Sequence, residues 1–347
     1  MEYVNLGQCG LKVSKVILGA MSYGSSDWAG WVQNEEEALP LLKAAFDRGI
    51  NTWDTADIYS NGLSERIIGK AIKKYEIPRE RLVILSKCYF GFEDTEDAPL
   101  PKKEPGKPHA IRQDPNAFVN RQGGSRKYIM AAVDASIKRL GTYIDVLQIH
   151  RLDHSTPMEE TLKALHDVVE SGKARYIGAS SMAAWEFQMM QNIAEKRGWT
   201  KFISMQNYYN LLYREEEREM IPYCKNTGVG LIPWSPIARG VLARPFSDRG
   251  TKREQTDYYL MTLVRQKESE SDRAIVDKVE ELAKARGVSM AVVAMAYVLQ
   301  KGMMPIVGLS SVKRIDEAVL AMSFKLEPDE IRALEEPYIP RPVFPGW

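Results

Sequence analysis

Little in this chain suits a metal site or a disulfide framework. Cys9, Cys88 and Cys224 are its three cysteines, far apart in 347 residues. An odd number at such spacing fits neither paired disulfides nor a CxxC metal site, so each reads as a reduced structural thiol. Histidine is scarce as well, with four in all and no HExxH or paired spacing, and no metal is expected. Long apolar runs are missing. The longest, Met290 to Leu299, is about half of what a bilayer-spanning helix needs and reads as a buried helix. Nor does one sign of charge dominate, since 47 basic and 46 acidic residues leave a formal net charge of +1. That balance gives no field favouring nucleic acid or an anionic membrane, and a small molecule is the expected partner. The opening residues Met-Glu-Tyr-Val-Asn hold no basic region ahead of an apolar stretch and no glycine at position 2, so the expected location is the cytoplasm.

With 44% apolar and 27% charged residues, the chain can bury a sizeable core. Short β-branched runs alternate with longer amphipathic segments almost from end to end. Strands are expected at Val16 to Leu18, Asn51 to Asp54, Leu82 to Lys87, Val146 to His150, Arg175 to Ala179, Ile203 to Gln206, Gly230 to Pro233 and Pro305 to Gly308. Helices should begin near Asn34, Gly62, Ser125, Thr156, Met182, Glu215, Asp272 and Val312. Eight alternating pairs predict one α/β domain over residues 1–347, a single (β/α)8 TIM barrel. An open doubly wound sheet usually has fewer strands, and no GxGxxG follows the first strand here. Val4 to Val13 reads as an N-terminal β-hairpin able to plug the barrel. Gly91 to Gly124, Arg239 to Ser271 and the tail Pro337 to Trp347 read as long loops at the C-terminal face, hence as candidate walls of a substrate pocket.

Polar or ionisable residues end strand after strand: Asp54, Lys87, His150, Ser180, Gln206 and Ser235. In a parallel barrel these converge on one mouth. A lysine closing the apolar run Val83-Ile84-Leu85-Ser86-Lys87 is costly unless paired, and Asp54 is the natural partner. Tyr59 lies on the loop after Asp54. A phenol titrates at about 10 unperturbed, too high for good proton transfer near neutrality, and a neighbouring ammonium lowers that value. Asp54, Tyr59, Lys87 and His150 together make a unit suited to protonating a developing alkoxide. Asp57 reads as a residue that fixes the loop, and His109, His154 and His166 as surface or structural.

These residues resemble the aldo-keto reductases, in the branch that includes fungal aryl-alcohol dehydrogenase-like enzymes and potassium-channel β subunits. The resemblance rests on Trp53-Asp54-Thr55-Ala56-Asp57-Ile58-Tyr59-Ser60 with Gly62, Ser64, Glu65 and Gly69-Lys70, then Asp145 to Arg151, Gly172-Lys173, Arg175 to Ser180, Gln206 to Asn210, and Trp234-Ser235-Pro236 with Gly240. It covers essentially the whole chain, in order. It implies a catalytic tetrad of Asp54, Tyr59, Lys87 and His150 and the reversible reduction of an aldehyde or ketone with NADPH. It also implies the cofactor contacts. Gly19, Ala20 and Met21 fall beside the cofactor, Ser180 and Gln206 at the nicotinamide carboxamide, and Trp234 against the ring. Ser235, Pro236, Ile237, Arg239 and Gly240 fall on the pyrophosphate loop. Gly308, Ser310, Arg314 and Glu317 fall at the adenosine end, where Arg314 suits a 2′-phosphate. Departures from the family pattern are Ser180-Ser181 and Glu317-Ala318, where many relatives carry an asparagine second, and Arg244, standing near a position commonly lysine. The resemblance leaves aryl aldehydes, polyketide ketones and sugar-like carbonyls open as substrates. Two other classes stay open: a cofactor-holding regulatory subunit, and a Schiff-base lyase or aldolase with Lys87 as nucleophile.

Overall fold

Successive side chains of a strand point to opposite faces, so each strand of a closed barrel sends one set of residues inward and the other toward the helices. The computed structural model, which describes residues 2–94 and 115–343, shows this division throughout. A two-stranded hairpin, β1 (Tyr3–Asn5) and β2 (Lys12–Ser14), precedes eight parallel strands. These are β3 (Ile17–Gly19), β4 (Thr52–Asp54), β5 (Val83–Cys88), β6 (Ile144–Ile149), β7 (Ala174–Ser180), β8 (Phe202–Gln206), β9 (Gly230–Leu231) and β10 (Ile306–Val307). Each pairs with the next in sequence from β3 to β9, while β10 pairs with β3. The ring closes between the last two through a Trp234–Ile306 bridge and the bonds from Met304 N–H to Leu231 O and Ile306 N–H to Pro233 O, both 3.0 Å. The expected (β/α)8 barrel with its N-terminal hairpin is present, with strand limits displaced by one or two residues.

The outer layer is α1 (Glu35–Asp47), α2 (Leu63–Lys74), α3 (Arg126–Leu140), α4 (Met158–Glu170), α5 (Ala184–Arg197) and α6 (Met220–Thr227). After it come α7 (Lys252–Thr256), α8 (Tyr258–Leu263), α9 (Glu270–Ala285), α10 (Met290–Gln300), α11 (Val312–Ser323) and α12 (Pro328–Glu335). Local chemistry sets their ends. The Ser125 hydroxyl accepts the Tyr128 N–H at the start of α3, and Gly141, in the left-handed region, closes it. Among the described residues no single helix is long and apolar enough to cross a membrane; α10, the most apolar, has its side chains buried against α9 and α11.

Two cores result. Outward residues such as Trp53, Ile84, Leu147 and Ile177 pack against the helices. Inward residues form a second cluster at the lower end of the barrel, where Leu6 from the hairpin meets Val83, Leu85, Val146, Ile232 and Ile306. The hairpin fits because Gly7, at φ +63°, lets its backbone pass the start of β9, where a Cβ would stand 2.3 Å from Gly228 O. Above that apolar floor the inward positions turn polar. Val83 and Leu85 are followed by Lys87, Val146 by Gln148, and Thr52 by Asp54, so continuing the alternation delivers polar and ionisable groups to the upper mouth.

The expected long loops need correction. Arg239 to Ser271 is folded: α7 and α8 are capped by the side chains of Thr251 and Asp257, and Arg265 is buried in ion pairs with Glu254 and Glu268. Its charges, which look solvent-facing in sequence, neutralise one another internally. Residues 95–114 of the Gly91 to Gly124 segment, His109 among them, lie outside the described residues. The described part of the tail does not line the barrel mouth. Ile339 to Pro342 instead border a separate cavity of 430 Å³ with Tyr208, Tyr213 and Leu263, held there by Arg341, whose backbone N–H donates to Glu215 at 2.8 Å and whose guanidinium pairs with Asp272.

Candidate active site

Four residues from three separate stretches meet at the mouth. Lys87, the inward residue near the end of β5, is fully buried, and its ammonium donates to Asp54 Oδ2 at 2.7 Å, Thr55 O at 2.7 Å and Tyr59 Oη at 3.3 Å. All three of its protons thus have acceptors. Asp54 Oδ1 receives the side-chain amides of Gln148 at 3.1 Å and Gln206 at 2.9 Å, which holds the carboxylate rigid from the opposite side. The His150 ring lies edge-on to Tyr59, with centroids 5.9 Å apart. Its Nδ1 is buried without a hydrogen-bond partner among the described residues.

Protonation follows from this geometry. Burial depresses the Lys87 ammonium, but Asp54 and Tyr59 outweigh it and leave the pKa raised, so the lysine is a cation at neutral pH. Burial pushes the Tyr59 phenol up; Lys87 opposes this, Asp54 adds to it, and the net direction is upward. The expectation that Lys87 lowers the phenol below its ordinary value therefore holds for its own influence and fails for the sum, because desolvation of a phenolate is the larger effect. Burial, with Arg151 and Lys87 as like charges, holds His150 well below its usual range and hence neutral.

Tyr59, Asp54 and His150 open into a cavity of 730 Å³ that runs from the barrel mouth to the N-terminus of α11. Of the residues expected to touch cofactor, all but one line it. The exception is Ala20, whose fully buried side chain faces the core while its carbonyl accepts the Ser64 hydroxyl at 2.9 Å. Lys87 also stays out of the lining, behind Asp54 and Tyr59. Gly19, Met21, Ser180 and Gln206 border the cavity beside the tetrad. Trp234 rests one face on Tyr208, at 4.5 Å between centroids, and fixes its indole N–H on Ser181 Oγ at 3.1 Å. Ser181 thereby locks the tryptophan. Ser235, Ala238 and Arg239 all have positive φ, as does Gly240, and the segment is held by its own bonds from Ala238 N–H to Ser235 O and Gly240 N–H to Ile237 O, both 2.9 Å. Pro236 and Ile237 continue the same wall.

The far end is crowded with cations. Arg239 is bound to Asp257 through two bonds of 2.9 and 3.0 Å. Arg253, 3.2 Å from the same carboxylate, is pushed down to about 9 by burial and by the like charges of Arg239, Arg314 and Arg244. Arg244 Nη1 donates to Thr251 Oγ1 at 2.9 Å, Arg314 donates to Ser310 Oγ, and Gly308 and Glu317 complete the wall. Burial and then the like charges of Arg314 and Arg265 also lower Arg244, and a bound polyanion would relieve this crowding of cations.

Comparison with known proteins agrees with this geometry. Residues 15–339 match the Aldo/keto reductase family. The chain belongs to that family. As an aldo-keto reductase it is an oxidoreductase acting on carbonyl and alcohol groups, with small-molecule substrates. It is 63% identical over 347 residues to a protein named versiconal hemiacetal acetate reductase from Aspergillus parasiticus, covering 100% of this chain and 99% of that one. Aldo-keto reductases of Fusarium vanettenii and Alternaria alternata are each 49% identical, over 99% and 98% of this chain and 92% of theirs.

Several residues of this reductase's cavity carry no sequence signal that strand ends supply. Trp28 and Trp31 come from the stretch between β3 and α1, Phe90 follows β5, Arg151 follows β6 and Tyr259 lies on α8. Paired tryptophans in a short loop were the available clue. Away from the cavity, His154 Nε2 meets Glu186 at 2.6 Å and His166 bonds Thr200, both as structural contacts.

Asp57 lies beneath the site. Its backbone N–H donates to Lys87 O at 3.1 Å and its Oδ2 accepts the Tyr128 hydroxyl at 3.2 Å, while Oδ1 has no partner among the described residues. Burial and then Glu65 push its pKa up to about 8 from 3.8. The folded state therefore holds a proton that the unfolded chain releases near 3.8, and the resulting stability declines as pH rises through the interval up to about 8. Asp57→Asn removes the titration. In urea unfolding, its stability relative to the parent should rise steadily from about pH 5 to about pH 8; a flat or falling difference would show that Asp57 is already ionised.

Proposed function

We propose that this chain, acting as one catalytic unit, reduces an aldehyde or ketone to the alcohol with NADPH and uses Tyr59 as the proton donor. The observation that carries the reading is the hydrogen-bonded sequence Asp54–Lys87–Tyr59 at the wall of a cavity whose other end is rich in arginine. Ser180, Gln206 and Trp234 would hold the nicotinamide end, Ser235 to Gly240 the pyrophosphate, and Arg314 with Arg244 and Lys313 the 2′-phosphate. When bound, the reduced nicotinamide supplies hydride to the carbonyl carbon. Met21 and Gly19 border the same end.

As negative charge develops on the substrate oxygen, the Tyr59 phenol, protonated at neutral pH, gives up its proton to it. The phenolate left behind is stabilised by the Lys87 ammonium, and Asp54 keeps that ammonium charged and pointed at Tyr59. A raised phenol pKa suits this direction, because the donor stays loaded until an alkoxide, a far stronger base, appears. Neutral His150 orients the carbonyl oxygen through a ring nitrogen. A lyase reading needs Lys87 as a neutral amine, which its raised pKa opposes, and the regulatory-subunit reading gains nothing from relatives named as reductases. The aromatic wall suits aryl carbonyls, and versiconal hemiacetal acetate belongs among the first compounds to assay.

Tyr59→Phe keeps the ring and loses the proton. Turnover should fall by about a hundredfold or more with NADPH affinity nearly intact; retention of more than about half of the parent rate would remove Tyr59 from the mechanism.

Cofactor choice has its own test. Arg314→Ala should weaken NADPH binding by about tenfold or more while hardly changing NADH, since a 2′-phosphate is the difference between them. Equal losses for the two, measured by fluorescence titration, would place Arg314 elsewhere in recognition.

A further inference from the structure

Two kinds of contact hold Trp234, and they restrain it differently. Its ring stacks on Tyr208 with centroids 4.5 Å apart and planes 28° apart, and Tyr208 stacks in turn on Tyr213 at 4.8 Å. Stacking limits movement along the ring normal and leaves sliding within the plane cheap. The restraint in the plane comes from the ring edge, where the indole N–H donates to Ser181 Oγ at 3.1 Å. Ser181 is 2% exposed and, unlike Ser180, does not line the cavity, so it acts on a bound molecule only through the tryptophan. It directly follows β7 with φ +51°. A serine in the left-handed region is uncommon and persists where its contacts hold it there.

Those contacts lead to the tetrad. The Ser181 N–H donates to Gln206 O at 3.2 Å. Its hydroxyl stands 3.4 Å from the same carbonyl and 3.2 Å from Ser180 Oγ, whose own proton goes to Gln206 O at 2.9 Å. Either route ends on Gln206, whose side-chain amide donates to Asp54 Oδ1 at 2.9 Å and Gln148 Oε1 at 3.1 Å. Gln206 therefore anchors the tryptophan through its carbonyl and the aspartate through its amide. The ring on the cavity wall and the frame that holds Tyr59 are tied together by hydrogen bonds that never enter the cavity.

We propose that Ser181 is a positioning residue for the reaction: by fixing the Trp234 indole in its own plane through Gln206, it sets where a nicotinamide resting on that indole lies relative to Tyr59. This rests on the reading of the cavity as a carbonyl-reduction site. The arginines lie at the far end of the cavity, so affinity for the cofactor depends little on the tryptophan's exact place. Transfer between two reacting atoms depends on it strongly, because small misplacements raise the barrier. Loss of the Ser181 hydroxyl should therefore fall on the rate more than on binding.

The test uses the parent, Ser181→Ala, Ser181→Gly, Trp234→Phe and the Ser181→Ala, Trp234→Phe double variant. Three quantities are read: single-turnover NADPH oxidation with benzaldehyde or versiconal hemiacetal acetate, NADPH affinity by fluorescence titration, and hydrogen exchange of the Trp234 indole N–H by NMR in cofactor-free protein, its signal assigned by its loss in Trp234→Phe. Ser181→Ala should slow the single turnover about five- to tenfold, the scale of one hydrogen bond, with affinity changed less than about threefold. Its Trp234 indole proton should exchange faster than in the parent. Ser181→Gly, which relieves the left-handed backbone, should be as slow as Ser181→Ala, which separates the hydroxyl from the strain and keeps the test open if the alanine variant misfolds. In the Trp234→Phe background Ser181→Ala should cost nothing further, because phenylalanine has no N–H to hold. The same loss in both backgrounds, a rate within about twofold of the parent, or a loss confined to affinity would overturn the proposal. So would unchanged exchange of the Trp234 indole proton. Failure of the parent to reduce either carbonyl compound would instead overturn the carbonyl-reduction reading, while the exchange measurement still reads the anchor itself.

Discussion

A lysine and an aspartate, both removed from water inside a barrel, set the conditions for everything at its mouth. The Lys87–Asp54 contact of 2.7 Å has almost no solvent access on either side. Pairs of this kind bring little net stability, yet removing one partner costs about 3–5 kcal/mol because the other is left buried and charged. The arrangement therefore persists only where each remaining valence is filled. Thr55 O and Tyr59 Oη take the other lysine protons, and Gln148 and Gln206 take the free carboxylate oxygen. Tyr59 is tied into this frame as its most accessible member, and proton chemistry at its hydroxyl inherits the frame's rigidity.

From that frame the cavity divides by chemistry. Toward α11 it is cationic, and the repulsion among Arg239, Arg244, Arg253 and Arg314 is only partly offset by Asp257. Toward β5 and β6 it is aromatic. The folded segment after β9 joins the two regions: Arg253 lies 4.0 Å over the Trp31 ring, and Thr256 packs against Gly30, so residues from both ends of the barrel sequence cover the cavity between them. A long ligand with an anionic end and an aromatic end matches that division.

What the sequence made legible followed from periodicity. Alternation along short runs located all eight strands, and the residues at their ends, Asp54, Lys87, His150 and Gln206, do converge. What escaped depended on contacts between distant segments. Arg239 to Ser271 looked like an open loop because its many charges suggest solvent, yet Asp257 and Glu254 find their arginines within the same segment. Ala20 sits between two cavity residues, and only the local turn decides that its side chain faces the core. The tail was read as a wall of this cavity because it is rich in proline, but Arg341 anchors its described part to Glu215 and Asp272 beside a different one. The sum of opposing influences on Tyr59 was equally beyond reach, since desolvation is set by packing and not by neighbours in sequence.

The central claim is that Asp54 and Lys87 act on Tyr59 as one unit. A double-mutant cycle of Asp54→Asn and Lys87→Met, read as turnover of an aryl aldehyde with saturating NADPH, addresses it most directly. The account predicts that the double variant is no slower than the worse single variant, because either change already dismantles the pair. Losses that simply multiply would mean the two residues contribute independently, and would contradict it.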